Sequence, residues 1–234
     1  MQLAAVTNVA VRRSEEHVFF LTAALALLAI ILIGFGHSYF LAGIFLARLP
    51  SMLVHVHAAL FVGWILLFAA QIALVATGHV RWHRRLGSIM AIWALLMLLV
   101  GPPTVVMALR RPHSGVGGIE FFGNLAQLLV FGILIGTALL RRRDSATHKR
   151  LMLLGTATLM LPALARWPFG LPTPALLAVY LLVPLALLVW DRATLHRIHR
   201  ATLLGLTLIV LLVASTLIVS ATPVWIEFAH WVQT

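Results

Sequence analysis

Cysteine is absent from this chain of 234 residues, and acidic side chains number only six against seventeen Lys and Arg. The first absence excludes disulfides, thiolate metal sites and cysteine-ligated iron–sulfur clusters. The second leaves little material for magnesium binding or carboxylate acid–base catalysis, because Glu15, Glu16 and Asp144 fall in stretches that read as solvated. Zinc-hydrolase H-E-x-x-H, nucleophile-elbow G-x-S-x-G and Walker-type phosphate loops are also missing. No motif therefore declares an enzyme. Charge of any sign is scarce: 10% of residues are charged where soluble domains carry about 25%.

What is present is apolar sequence, 62% of the chain, arranged in long runs. A membrane-crossing helix needs about 20 such residues. The expected architecture is an all-α bundle of seven transmembrane helices near Val18–Gly36, Met52–Thr77, Leu86–Leu109, Ile119–Leu140, His148–Arg166, Pro174–Trp190 and Leu203–Thr222. Residues 1–17 read as a tail, and residues 18–234 as one domain. Segments near 38–50 and 224–234 are too short to cross and read as interfacial, with Tyr39, Trp225 and Trp231 as anchors. Pro50-Ser51 and Thr147 are expected helix starts. Pro102-Pro103 and Pro184 are expected to kink their spans.

Basic residues test this count. Alternating the connections between two sides puts thirteen of the seventeen Lys and Arg on the side of the N-terminus. The positive-inside rule then predicts a cytoplasmic N-terminus and an external C-terminus. The basic clusters sit between apolar runs, which argues for anionic lipid headgroups as partners and against nucleic acid. An oligomer or a second membrane protein is a further expected partner.

The eleven histidines fall near span ends. His55 and His57 begin the second span. At about 100° per residue they point about 200° apart, so a regular helix cannot aim both at one ion, although both are metal-ligand types. His57 shares a face with Phe61, Trp64, Phe68 and Gln71, and Gln71 lies deep enough to require a protein neighbour. Glu120, Asn124 and Gln127 form a second polar line on the fourth span. With Arg166 they outline an outward-facing polar pocket around His57. On the other side His83, His148 and one of His196 or His199 start separate spans at one depth. Neutral imidazoles there could hold a cofactor, haem b or a copper ion. A histidine at a span end ordinarily serves as an interfacial residue or a helix–helix hydrogen bond, so both clusters also have a purely structural explanation.

Three segments carry a resemblance: "HVHAALFVGWILLFAAQIALVATGHVRWHRRLG" (55–87), "THKRLMLLGTATLMLPALARWPF" (147–169) and "DRATLHRIHRATLLG" (191–205). Together with "GFGHSYFL" (34–41) they resemble a family of uncharacterised multi-pass bacterial inner-membrane proteins. The matched positions are His55, His57, Trp64, Gln71, His83, Arg84, Gly87, His148, Lys149, Arg150, Asp191 and His199. Family members often carry His-Pro where this chain has His199-Arg200, so its last long helix is expected to start differently. The resemblance implies a helical bundle in a bacterial inner membrane and no particular reaction. A looser likeness to transmembrane b-type cytochromes rests on histidines at both ends of a bundle. The expected function is a non-catalytic membrane component or small-solute permease. The alternative is a haem- or metal-binding redox protein, and a lipid-modifying enzyme stands third.

Overall fold

A computed structural model describes residues 2–41, 51–111 and 117–234, with side chains from Ser14 onward except that of His37. The described residues form helices α1 (Gln2–Phe35), α2 (Met52–Ala76), α3 (Val80–Arg110), α4 (Gly118–Leu140), α5 (Ser145–Thr158), α6 (Leu161–Leu164), α7 (Thr173–Leu195), α8 (Arg200–Val219) and α9 (Pro223–Gln233). A π-helical turn, Gly36–Phe40, continues α1. Most of the expected interfacial segment near 38–50 lies outside the described residues, as does His113.

Six helices are long and apolar enough to cross a membrane: Ser14–Phe35 within α1, then α2, α3, α4, α7 and α8. Their outward faces carry bare Leu25, Ile92, Leu99, Leu129, Leu182 and Val210, an apolar exterior suited to lipid and not to water. The expected fifth span is the exception. It is not one helix but two, α5 and α6, separated at Leu159-Met160. Proline explains the break. Pro162 has no N–H to donate to the Thr158 carbonyl four residues back, and its ring crowds that position. The turn closes instead through shorter bonds, Leu159 N–H to Thr156 O and Met160 N–H to Ala157 O, both 3.2 Å. Pro102-Pro103 and Pro184 are milder, since α3 and α7 each remain one helix through them.

α5 is the hub. Every residue from Arg150 to Met160 is buried, so no face is left for lipid. It packs against α4, α8 and α7, with α1 touching its start. Small residues allow the close approach. A Cβ on Gly155 would lie 2.7 Å from Ile135 of α4, and one on Gly205 would lie 2.4 Å from Leu154. At Gly34 a Cβ would lie 2.1 Å from the Ala163 carbonyl oxygen, so α1 and α6 meet backbone to backbone. Eighteen residues earlier along α1, Glu16 forms an ion pair with Lys149 of α5.

The connections 77–79, 141–144 and 196–199 share one end of the bundle, here the Thr77 end, and the opposite one is the Ser51 end. Helix starts differ slightly from expectation. Asp144, not Thr147, caps α5, accepting from the main-chain N–H groups of Ala146 (3.1 Å) and Thr147 (3.2 Å) and from the Thr147 hydroxyl (2.6 Å). That hydroxyl, and then the Thr147 N–H, hold the Asp144 carboxyl below its ordinary range. α8 begins at Arg200, with the His199 ring accepting from Ala201 N–H at 3.1 Å. α9 lies across α3 and α4 at the Ser51 end, where Trp225 donates to Gly118 O (2.7 Å) and Arg110 donates to Val232 O (2.6 Å).

Candidate functional site

The expected face of α2 is the polar spine of the bundle. Trp64, Phe68 and Gln71 are buried, while His57 and Phe61 are half-buried. Trp64 sits at its middle. Its indole N–H donates to the Thr156 hydroxyl of α5 (3.2 Å), which donates in turn to Met152 O (2.8 Å). The indole edge meets Phe131 of α4 at 5.2 Å between ring centroids. A buried Trp finds a partner for its N–H, and here that partner ties three helices together.

Four buried side-chain atoms have no hydrogen-bond partner among the described residues: His57 Nδ1, Gln127 Oε1, Gln71 Oε1 and His83 Nδ1. They divide evenly about Trp64. α2 and α4 run the same way, so helix rise puts His57 about 10 Å and Gln127 about 6 Å from the Trp64–Phe131 level, toward the Ser51 end. Gln71 lies about 10 Å the other way, with His83 beyond it.

On the Ser51 side the His57 ring stacks on Phe61 at 4.1 Å, and Arg166 is within electrostatic reach of it. The Arg166 guanidinium lies over the Phe35 ring (5.2 Å) and donates to Pro162 O (2.7 Å). Gln127 donates to Asn124 Oδ1 at 3.0 Å, which orients its amide and leaves Oε1 free. Glu120 does not join this group. It is exposed and accepts from Gly117 N–H (2.8 Å), closing the first turn of α4 as a capping residue. His55 turns away from His57 to meet the Tyr39 hydroxyl at 2.8 Å. The spacing argument that the two histidines diverge matches this placement.

Toward the Thr77 end lie Gln71, in the last turn and a half of α2, and His83 and His148, in the first turns of α3 and α5. His148 Nδ1 bonds to Ala138 O of α4 at 2.8 Å. His83 is half-buried at the start of α3, with its Nδ1 among the partnerless atoms. Gly87, one turn beyond His83, presents no Cβ, and one built there would touch the Gln71 amide nitrogen at 3.4 Å. His199 does not join this group. It caps α8 beside a different cluster, and burial, followed by the Arg150 guanidinium, holds its imidazole below the ordinary value.

That cluster is a buried ion pair. Arg150 donates twice to Asp191 Oδ1 (2.9 and 2.6 Å) and once to Ala146 O (2.9 Å). Asp191 Oδ2 accepts from the Thr202 hydroxyl (2.5 Å) and the His199 main-chain N–H (3.1 Å). Asp191 is 0% exposed and Arg150 2%, so both charges depend wholly on each other and on these bonds. The sequence carried a signal for it: Asp191 directly follows the apolar run that ends at Trp190, and an acid buried there needs a charged or hydrogen-bonding partner.

No protein-family model, curated protein or solved structure matches this chain. Among the described residues no group of three or more His, Asp or Glu could hold a metal ion.

Proposed function

We propose that the protein is a seven-crossing inner-membrane permease for a small polar solute, entered through a pocket formed by His57, Gln127 and Arg166. The observation that carries this reading is the pairing of partnerless buried polar atoms on either side of Trp64. A buried amide or imidazole atom without a partner costs roughly 1–3 kcal/mol. Two on each side of one tryptophan make sense as stations for a passing hydrogen-bonding solute, with the indole as the constriction. Packing glue would have satisfied them.

The seventh crossing in this reading is the broken α5–α6 element. Its start meets α1 at Glu16 and its end meets α1 at Gly34, eighteen residues apart. That is about 27 Å of helix rise, close to the hydrocarbon thickness of about 30 Å. Discontinuous helices recur at the substrate sites of transporters, where irregular backbone is tolerated because it is enclosed by protein. The surplus of Lys and Arg at the Thr77 end supports a cytoplasmic location for that end and for the N-terminus, facing anionic headgroups. The His57 pocket then opens outward. Its stations are neutral apart from Arg166, which points to small uncharged solutes or small weak-acid anions.

The test is stopped-flow light scattering of proteoliposomes challenged with glycerol, urea and formate. At least one solute should equilibrate several-fold faster than in empty vesicles, and His57→Leu with Gln127→Leu should remove the gain. Permeability equal to that of empty vesicles for all three would overturn the reading.

A further inference from the structure

α3 and α4 run antiparallel and meet closely midway along, where a Cβ on Gly132 would lie 3.2 Å from Leu98. One turn nearer the Thr77 end, on nearly the same face of α4, a Cβ on Gly136 would meet nothing within 4 Å. The seam between the two helices opens there, beside the exposed apolar side chains of Leu95, Ile133 and Leu140. Both lips of the seam end in arginine. α3 starts with Arg81, Arg84 and Arg85, and α4 runs into Arg141, Arg142 and Arg143, all six exposed. Counted from the Leu98–Gly132 contact, helix rise puts Arg85 about 20 Å and Arg141 about 14 Å toward that end, so the two clusters lie within about 6 Å of one level. Packed helices stand about 8–10 Å apart, a gap that arginine side chains from both sides can bridge through a shared ligand.

These charges are unspent. None of the six guanidiniums forms an ion pair among the described residues, whereas Lys149 pairs with Glu16 and Arg150 with Asp191. Asp144, which follows Arg143 directly, turns its carboxylate to the Ala146 and Thr147 N–H groups and the Thr147 hydroxyl. Arg85 lies over the Trp82 ring at 5.4 Å, and Trp82, 59% exposed, is a side chain suited to the headgroup level. We propose that this corner binds one molecule of cardiolipin, with its two phosphates taken by the two arginine clusters and its acyl chains laid along the open α3–α4 seam. Guanidinium forks match phosphate oxygens, and basic pockets between membrane helices recognise such headgroups. A headgroup with one phosphate, such as phosphatidylglycerol, fills one cluster and leaves the other unmatched, whereas the diphosphate joins both. A general attraction of the basic end to anionic headgroups needs no such geometry; a single lipid at a defined seam does. The site rests on the membrane reading of the fold and not on solute passage, so a chain that conducts nothing can still bind the lipid.

The full chain, stripped of lipid in detergent, is titrated with cardiolipin, phosphatidylglycerol and phosphatidylethanolamine and read by native mass spectrometry. We expect one cardiolipin per chain, held several-fold more tightly than phosphatidylglycerol at equal phosphate. Arg84→Gln with Arg85→Gln, and Arg141→Gln with Arg142→Gln, should each reduce that affinity several-fold. Arg197→Gln with Arg200→Gln removes the same charge from other exposed positions at this end and should leave it unchanged. A second measurement needs no variant: cardiolipin carrying a photoactivatable acyl chain should crosslink to α3 and α4 in the unmutated chain. Three results would each overturn the site: equal affinity for cardiolipin and phosphatidylglycerol at equal phosphate, an equal loss in the Arg197 and Arg200 variant, or crosslinks confined to other helices.

Discussion

Tyr180 of α7 donates its phenolic hydrogen to the main-chain carbonyl of Thr158, at 3.3 Å. This is the carbonyl that Pro162 leaves without its helical donor. Both groups are buried, and the bond is what allows the hub helix to be broken inside a membrane-type core. Tyr180→Phe should destabilise the protein by about 1–3 kcal/mol, because the carbonyl is then orphaned. Pro162→Ala restores a donor four residues on, so Tyr180→Phe should cost much less in that background. A double-mutant cycle read by thermal unfolding in detergent checks this, and additive effects would refute it.

The Arg150–Asp191 pair should behave as a buried ion pair whose halves are worse apart than absent. Asp191→Ala strands a guanidinium and should cost about 3–5 kcal/mol. Arg150→Met with Asp191→Leu should recover most of that loss. Denaturation midpoints of the three variants decide it, and a double variant as weak as Asp191→Ala would contradict the expectation.

Gly34 and Gly36 offer a paired comparison. Alanine at 34 must push α1 away from the Ala163 carbonyl, whereas alanine at 36 meets nothing within 4 Å. Gly34→Ala should lower stability by about 1–3 kcal/mol or more, the usual cost of overpacking. Gly36→Ala should be close to neutral. Monodispersity and melting temperature measure both.

His199 gives the fold a pH dependence of known sign. Its imidazole titrates below the ordinary value in the folded chain, so the folded state prefers the neutral ring. Its contribution to stability is complete above about pH 6.5 and is lost as pH falls through the lower folded value. The groups that set this are Arg150, Asp191, Asp144 and Arg197. His199→Asn keeps a capping side chain and removes the titration. Between pH 7 and pH 5 the variant should therefore lose less stability than the unmutated chain, as followed by thermal unfolding.

The lack of native cysteine makes orientation directly testable. Single cysteines replacing Arg142 and Phe169 sit in connections at opposite ends. A membrane-impermeant maleimide applied to intact cells should label only the one at 169. Labelling at 142 alone would reverse the proposed topology.

Helix spans were legible because burial in lipid demands long apolar runs, and the α2 face from His57 to Gln71 was legible from a 3.6-residue period. The α5–α6 break was not anticipated. Pro162 is visible, but a proline alone does not say whether a helix continues, as α3 and α7 do, or divides. That outcome depends on Tyr180 being positioned to take the freed carbonyl. Spacing groups Glu120 with Asn124 and Gln127. Yet it follows Gly117 by three residues, the distance of a capping box, and local satisfaction won over the long-range site. Depth alone groups His199 with His83. Lateral position around a bundle is set by tertiary packing, to which sequence depth is blind.

The complete enclosure of α5 also constrains the order in which the molecule can be made. With every side from Arg150 to Met160 covered by protein, its final surroundings include α7 and α8, which emerge from the ribosome after it. Until they arrive, a segment holding Arg150 faces lipid or the insertion machinery with its charge unpaired. The Arg150–Asp191 bond cannot close before residue 191 has been synthesised. Chains truncated before α7 should therefore be handled by the cell as incomplete membrane proteins, however well their first four helices insert.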